Sequence, residues 1–188
     1  MSDTVSALGG RSFAGFVTVE EIGHIGMISL RGDLADPAMA TAVKAAVGLG
    51  LPGPRGIVCA DGLAAGWMSP DELLLVLTYD EVPKALATLE KALKATHHLA
   101  ADVSDARAVF RIRGAGVRDV LAKLTPTDLS PAVFTTGMLR RTRLAQVAAA
   151  FWISGEDEVT IVSFRSVAEY VFGLLEISAT NGGEVGLH

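Results

Sequence analysis

The pattern of apolar and polar residues predicts short strands and helices along the chain. Residues 16–30, FVTVEEIGHIGMISL, place β-branched and apolar residues on both sides of residues 23–26, which is typical of a β-hairpin whose second strand ends at Gly32. Asp36 and Pro37 then supply a helix N-cap and a first-turn proline ahead of apolar residues at helical spacing. A hairpin followed by a short helix is therefore predicted.

A second hairpin and a second helix follow. Residues 57–59 and 73–77 have strand composition, and Ser69, Pro70 and Asp71 form a turn before the second of these segments. The next segment has one apolar helical face, which consists of Val82, Ala85, Leu86, Leu89 and Leu93. The first half of the chain is thus predicted to be strand, helix, hairpin and helix.

The same order of elements recurs in the second half of the sequence. GMISLRG, ending at Gly32, aligns with AVFRIRG, ending at Gly114, and WMSPDELLLVL from Trp67 aligns with WISGEDEVTIV from Trp152. Without a gap, the helical residues Val82, Leu86 and Leu89 fall over Val167, Val171 and Leu174. We predict an α+β fold made of a duplicated strand-helix-hairpin-helix unit, with the tryptophans in equivalent places; the alternative is the weak similarity of any two hairpins.

The repeat divides the chain into four parts. They are a flexible lead-in of residues 1–15, a first half-unit of residues 16–96, a second half-unit of residues 97–178 and a tail of residues 179–188. Both half-units are expected to form one compact domain. In the last helix, Ser166 and Glu169 are predicted to form a capping box. Its apolar face is predicted to be Val167, Tyr170, Val171, Leu174 and Leu175.

Composition narrows the class of protein. The chain has 188 residues, 50% of them hydrophobic and 20% charged, which is ordinary for a globular protein. A net charge of -5 gives no general attraction for nucleic acid or for an anionic membrane surface. No apolar run reaches the roughly 18 residues of a membrane span, and the first residues lack the features of a secretion signal. We expect a cytoplasmic protein, in which the single cysteine, Cys59, is a small core side chain.

No pattern in the sequence predicts a catalytic, cofactor-binding or metal-binding residue. The glycine-containing turn of residues 113–116 lacks the third glycine of a dinucleotide fingerprint, so a tight structural turn is favoured. The four histidines, which include His97, His98 and His188, have no metal-ligand spacing, and no serine lies in a nucleophile elbow. Carboxylates such as those of Glu21 and Glu72 are placed in exposed turns.

A cluster of three arginines, Arg140, Arg141 and Arg143, is the basic feature that stands out in this acidic chain. The apolar residues after it, from Val147 to Phe151, lack the alternation of a half-solvated strand, so both faces of that strand are expected to meet protein. These five named residues are therefore predicted to belong to a partner interface, with an exposed apolar patch in the isolated chain. A solvated strand face is the alternative.

The string DVSDARAVFRIRGAGVRDVLAKLTPTDLSP, residues 102–131, resembles the segment that opens the folate-binding domain of the aminomethyltransferase of glycine cleavage. It is still more similar to sarcosine oxidase gamma subunits, which also have a later Thr-Arg-Leu, here residues 142–144, and an Arg-Ser before the last helix, here Arg165 and Ser166. The resemblance covers residues 73–175 well and the first 70 residues loosely. Where aminomethyltransferases have an acidic residue beside the folate, this chain has Val147 and Ala148, so the resemblance implies that scaffold without its chemistry.

The resemblance implies a subunit of a complex. In that family the assembly oxidises sarcosine to glycine, passes the methyl carbon to tetrahydrofolate and reduces oxygen to hydrogen peroxide. The alpha subunit carries NAD and the folate site, the beta subunit carries FAD and shares FMN with alpha, and the delta subunit carries zinc. The gamma subunit binds none of these cofactors and has a structural role against alpha and beta. A stand-alone folate-binding protein and an unrelated interaction module are the alternatives.

Overall fold

The computed structural model describes residues 5–186, and within that range the chain is an α+β protein with two antiparallel sheets. It divides into two compact units. The central unit is His24–Ser104, and the terminal unit combines the described residues up to Gly23 with those from Asp105 onward. None of the helices in the described part of the chain is long and apolar enough to cross a membrane. The predicted α+β class is confirmed.

The elements follow one another as short strands and helices. The strands are β1 (Ser12–Ala14), β2 (Thr18–Glu21), β3 (Ile25–Gly32), β4 (Ile57–Ala60), β5 (Leu63–Ser69), β6 (Glu72–Thr78), β7 (His98–Asp102), β8 (Arg107–Arg113), β9 (Leu139–Leu144), β10 (Val147–Gly155) and β11 (Glu158–Phe164). The helices are α1 (Pro37–Val47), α2 (Val82–Ala92), α3 (Val117–Ala122) and α4 (Ala168–Ser178). The predicted helix cap at Asp36 is confirmed, because its side chain accepts a hydrogen bond from the amide of Ala38 at 2.8 Å.

The two units have the same topology. The central sheet has the strand order β4-β5-β6-β3-β7, and the terminal sheet has the order β9-β10-β11-β8-β2-β1. In each unit a strand leads through a helix to an antiparallel three-stranded meander and a closing helix, so β3, α1, β4, β5, β6 and α2 correspond to β8, α3, β9, β10, β11 and α4. The predicted duplication of a strand-helix-hairpin-helix unit is therefore present in the topology.

The strand that completes each sheet comes from a different place in the chain. In the central unit β7 follows the closing helix and pairs with β3. In the terminal unit the corresponding place beside β8 is taken by β2, from the beginning of the chain. The predicted hairpin over residues 16–30 is therefore wrong, because its two strands belong to different sheets. The two units also differ from the predicted half-units, because β2 belongs to the terminal unit and β7 to the central unit.

The equivalence of the tryptophans is shifted by one residue. On β5, Trp67 lies opposite Leu73 of β6. Val159 of β11 is equivalent to Leu73, but it lies opposite Ile153 rather than Trp152. The second hairpin has one more residue between its tryptophan and the start of β11. A shift of one position along a strand moves a side chain to the other face of the sheet. The tryptophans thus occupy equivalent strands but opposite faces, and the gapless alignment of the closing helices is off by one residue.

Each unit has a hydrophobic core between its helices and one face of its sheet. The central core includes the predicted helical residues Val82, Ala85, Leu89 and Leu93, and the terminal core includes Val171, Phe172 and Leu175. Cys59 is exposed on β4, so its predicted place in the core is wrong. β4 is an edge strand with a neighbour on one side within the described chain, which leaves its last residues uncovered.

Glu21 holds the N-terminal segment against the terminal unit. Its buried carboxylate accepts hydrogen bonds from the hydroxyl of Ser6 and from the amides of Ala7 and Gly10, at 2.9, 3.1 and 2.7 Å. The predicted exposed position of Glu21 is therefore wrong, since a carboxylate with this many donors can be buried without losing its hydrogen bonds. Of the predicted flexible lead-in, residues 5–15 include β1 and are bonded in this way, and residues 1–4 lie outside the described residues.

The close approach of the N-terminal segment to the rest of the unit requires glycine at two positions. A Cβ atom added to Gly15 would lie 1.8 Å from the carbonyl oxygen of Ala179, and one added to Gly116 would lie 2.5 Å from the ring of Phe16. The amide of Phe16 also donates to the carbonyl of Ala179 at 3.0 Å. The segment before β2 is thus packed between the turn after β8 and the end of α4.

The tail after α4 is attached to α3. The ammonium of Lys123 donates to the carbonyl of Ser178 at 2.7 Å and to that of Gly183. Asp119 accepts from the amides of Val185 and Gly186 at 3.2 and 2.8 Å. His188, one of the histidines considered above, lies outside the described residues.

The beginning of α4 differs from the prediction. A 3-10 turn of Arg165–Val167 precedes the helix, and no described side chain caps its first turn. Glu169 instead forms an ion pair with Arg11 at 3.0 Å, so the predicted capping box with Ser166 is wrong. The same arrangement, a 3-10 turn before the closing helix, is present in the central unit. Tyr170, predicted to face the core, is exposed, and the buried Phe172 takes that role.

The two helix starts give a paired test by chemical denaturation. Asp36→Ala removes a bonded N-cap and should lower the free energy of unfolding by about 1 kcal/mol. Ser166→Ala should change it by less than about 0.5 kcal/mol, because the exposed serine does not cap α4. A loss at Ser166 as large as that at Asp36 would contradict the helix start described for α4.

Candidate partner interface

The predicted arginine cluster lies on β9, an edge strand of the terminal sheet. β9 pairs with β10 and is joined to it by a tight turn in which Ala145 has a positive φ of 47°. Arg141 and Arg143 are exposed and lie on the face of the sheet opposite the helices, across from Ala150 and Ala148. Two charged side chains thus project from an edge of the sheet, the kind of place where charge also discourages indiscriminate strand pairing.

Arg140 points to the other face and has a structural role. Its guanidinium donates to the carbonyl of Val133 at 2.9 Å and lies 5.4 Å from the centre of the Phe134 ring. Arg118 binds the same loop through the carbonyls of Leu129 and Phe134. These contacts fix the loop between α3 and β9.

The apolar part of the predicted interface is mostly inside the terminal unit. Phe151 is fully buried and meets Phe134 edge to face, with 5.4 Å between ring centres. Val147 is half-buried against the same core. The four residues from Ala149 to Trp152 are all buried, and Ala148 is exposed. The predicted exposed apolar patch on this strand is therefore wrong; the missing alternation reflects burial within the chain.

An ion cluster that the sequence analysis missed lies on the same face of the sheet as Arg141. Glu158 binds the guanidinium of Arg113 and accepts from the hydroxyl of Ser154 at 2.8 Å, and Arg111 lies 3.4 Å from the same carboxylate. Glu20 lies 3.8 Å from Arg113. The register explains the pairing, since Arg113 and Glu158 are directly opposite on β8 and β11.

The sequence repeat could have predicted this ion cluster. In the central unit Arg31 lies directly opposite Glu72, and their side chains pair at 2.9 Å, with Ser29 donating to the same carboxylate at 2.9 Å. Arg31 and Arg113 are the arginines of the two aligned Leu-Arg-Gly and Ile-Arg-Gly strings. Glu72 is buried by this pairing, so its predicted place in an exposed turn is also wrong. The duplicated ion pair joins equivalent strands in both units, β3 with β6 and β8 with β11.

The pKa of Glu158 is lowered as a result. Burial raises the pKa of this carboxyl, but the hydrogen bonds from Arg113 and Ser154 and the positive charge of Arg111 and Arg113 outweigh burial. The hydrogen bond to Glu158 in turn raises the pKa of Arg113. Glu158 and Arg113 are therefore charged at neutral pH and form a structural ion pair.

The terminal unit contains a small cavity between α3 and the β10–β11 hairpin. Its volume is about 50 Å³, and its lining combines apolar residues such as Val117 and Ile153 with Asp157 and Glu158. Pockets for a drug-sized ligand or cofactor are several-fold larger, from roughly 300 Å³ upwards. Within residues 5–186 no group of three or more histidine, cysteine, aspartate or glutamate side chains is arranged to hold a metal ion.

Comparison with known proteins identifies similar chains. Residues 31–181 match the model of the sarcosine oxidase, gamma subunit family. The sarcosine oxidase subunit gamma of Corynebacterium sp. strain U-96 is 34% identical over 156 residues, covering 82% of this chain and 75% of that protein. The corresponding protein of Corynebacterium sp. strain P-1 is 32% identical over 161 residues, covering 85% and 78%.

Two solved structures share the fold. A chain of the heterotetrameric sarcosine oxidase from Corynebacterium sp. U-96, in complex with pyrrole 2-carboxylate, matches with a TM-score of 0.80 and 30% identity over 89% of this chain and 87% of that one. The glycine cleavage system aminomethyltransferase T from Bartonella henselae matches with a TM-score of 0.63 and 17% identity over 90% and 47%. The expected similarity to the aminomethyltransferase scaffold is confirmed at the level of the fold.

The lowered pKa of Glu158 predicts a pH-dependent contribution to stability. The ordinary pKa of a glutamate is 4.5, and the folded value lies below it. The contribution is therefore fully present above pH 4.5 and is lost as the pH falls through the folded value. Glu158→Gln should lower the free energy of unfolding by up to about 1 kcal/mol at neutral pH, and the difference from the unchanged chain should shrink below pH 4.5.

Glu156→Gln, on the exposed turn beside it, is the matched control and should have little effect at either pH. Urea denaturation of the three proteins between pH 3 and pH 7 measures the differences. A deficit of the Glu158 variant that stays constant over this pH range would contradict the ion-pair account.

Proposed function

This chain belongs to the sarcosine oxidase gamma subunit family, and on that premise we propose that it is the gamma subunit of a cytoplasmic, four-subunit sarcosine oxidase. The observation that carries the proposal is the match of nearly the whole fold to one chain of a heterotetrameric sarcosine oxidase, at 30% identity. The chain's role is to complete the assembly together with alpha, beta and delta subunits.

The proposed complex oxidises sarcosine to glycine, reduces oxygen to hydrogen peroxide and passes the methyl carbon to tetrahydrofolate. In this proposal the alpha, beta and delta subunits hold NAD, the folate, FAD, FMN and zinc. The gamma chain binds none of them. The resemblance to aminomethyltransferases places Val147 and Ala148 where the transferase has its acidic residue. Neither side chain is ionisable, which supports a role without acid-base chemistry.

The outward side chains of β9 are the part of the predicted interface that remains on the surface. Arg141 and Arg143 project from the sheet edge, and the exposed Ala148 of β10 lies directly opposite Arg143. Arginine is favoured at protein interfaces, since its planar guanidinium pairs with carboxylates and packs through its stem. We propose that this edge meets an acidic surface of the alpha or beta subunit.

Charge reversal tests this edge. The double variant Arg141→Glu and Arg143→Glu should leave the isolated chain folded but reduce its recovery in the complex, because like charges across an interface cost more than a lost surface pair. Co-expression of the four subunits, followed by gel filtration at low and moderate salt, measures the recovery. Arg140 is left unchanged because it holds the loop at Val133.

The matched control is Arg55→Glu, compared with Arg143→Glu alone, because both reverse one exposed arginine. The control should assemble fully, whereas Arg143→Glu should assemble less completely at low salt. If the double variant co-elutes as fully as the unchanged chain at both salt concentrations, β9 is a solvated strand edge and the interface lies elsewhere.

A further inference from the structure

The outer face of α4 is apolar where a surface helix is ordinarily polar. Its buried side consists of Ala168, Val171, Phe172, Leu175 and Ser178. On the opposite side, Tyr170, Leu174 and Ile177 follow one another at intervals of four and three residues and therefore form one stripe along the helix. Tyr170 is 43% exposed and Ile177 is 75% exposed, and Leu174 between them is half-buried. A helix with apolar residues on two opposite sides is ordinarily covered on both.

The equivalent helix of the central unit provides an internal comparison. With α2 and α4 aligned by their first residues, Tyr170, Leu174 and Ile177 correspond to Lys84, Thr88 and Lys91. The inward positions are apolar in both helices, so the two closing helices differ in character at their outer faces. The same structural position is thus solvated in one unit and apolar in the other, and the demands of the fold do not account for the difference.

Gly173 lies in the middle of this outer face. A Cβ atom added there would meet nothing within 4 Å, and its φ is not positive, so neither space nor backbone conformation requires glycine. Glycine in the interior of a helix lowers its stability relative to alanine, which occupies the equivalent position, Ala87, in α2. Beside the stripe, Gly173 leaves a notch in which another backbone or side chain can approach the helix closely.

One edge of the stripe is acidic. Glu169 and Glu176 lie one turn to either side of Gly173, and both pair with the single guanidinium of Arg11 at 3.0 Å. Two carboxylates on one guanidinium leave a net negative charge, and Glu169 is 76% exposed, so it can accept a further hydrogen bond. A surface complementary to α4 is therefore apolar with a lysine or arginine at one edge.

We propose that the outer face of α4, formed by Tyr170, Gly173, Leu174 and Ile177, docks on an apolar surface of another subunit of the sarcosine oxidase assembly, with a basic residue of that subunit beside Glu169. The inference rests on the proposed function, which places the chain in a hetero-oligomer. A ridge inserted at Gly173 between Tyr170 and Ile177 is the packing mode that the face allows.

The test exchanges the outer face of α4 for that of α2. The triple variant Tyr170→Lys, Leu174→Thr and Ile177→Lys introduces residues that the fold already accepts at the equivalent positions. The isolated variant should fold and have a melting temperature close to that of the unchanged chain. In co-expression of all four subunits, its recovery in the complex should fall at least about tenfold. The control, Lys84→Ala with Lys91→Ala on α2, should assemble normally.

A second variant separates docking from folding. Gly173→Leu fills the notch while replacing a poor helix former by a good one, so the isolated chain should melt at a higher temperature and yet assemble less well. Opposite signs in the two measurements are not expected of a residue with a merely structural role. Normal assembly of this variant together with normal assembly of the triple variant would overturn the inference.

Two further outcomes distinguish what covers the outer face of α4. If the isolated chain forms dimers in sedimentation velocity that the triple variant abolishes, while the variant still enters the complex fully, the occupant is a second copy and the inference is overturned. If the unchanged chain does not co-purify with the other three subunits, the proposed function fails and this inference fails with it. Loss of assembly in the triple variant alone supports the inference.

Discussion

Pairing between β2 and β8 is the interaction on which the terminal unit depends. The central unit obtains its last strand, β7, from the residues just after its closing helix. The terminal unit obtains the corresponding strand from the start of the chain, and Glu21 at the end of that strand binds the segment before it. Elements distant in sequence must therefore meet before this sheet is complete, which adds the entropy of closing a long loop to the cost of folding. The N-terminal segment is thus an integral part of the fold.

The sequence predicted the elements that depend on local patterns and missed those that depend on distant partners. The cap at Asp36, the turn before β6 and the buried face of α2 follow from neighbouring residues and are present, whereas β5 was not predicted. The hairpin over residues 16–30 is absent because apolar alternation does not identify the strand with which a segment pairs. Likewise, burial of Glu21 depends on donors contributed by another part of the chain.

The partner interface around β9 stays a prediction, and the structure narrows the residues that can belong to it. Arg141 and Arg143 lie exposed at a sheet edge, whereas Phe151 is in the core because its strand is covered from within the chain. Tyr170 and Leu174 of α4 were predicted to face the core, but Tyr170 is exposed and Leu174 is half-buried. Of the two equivalent closing helices, α2 has a polar outer face and α4 has an apolar one.

We propose that this duplicated scaffold is a non-catalytic subunit, and the intact mass of its native complex is the sharpest test of that role. An affinity-tagged copy of the chain, expressed from its own genome and purified under native conditions, should carry one copy each of three other subunits. The complex should form peroxide from sarcosine, and the isolated chain should not. A chain recovered alone or as a homo-oligomer, or one that forms peroxide from sarcosine without partners, would contradict the account.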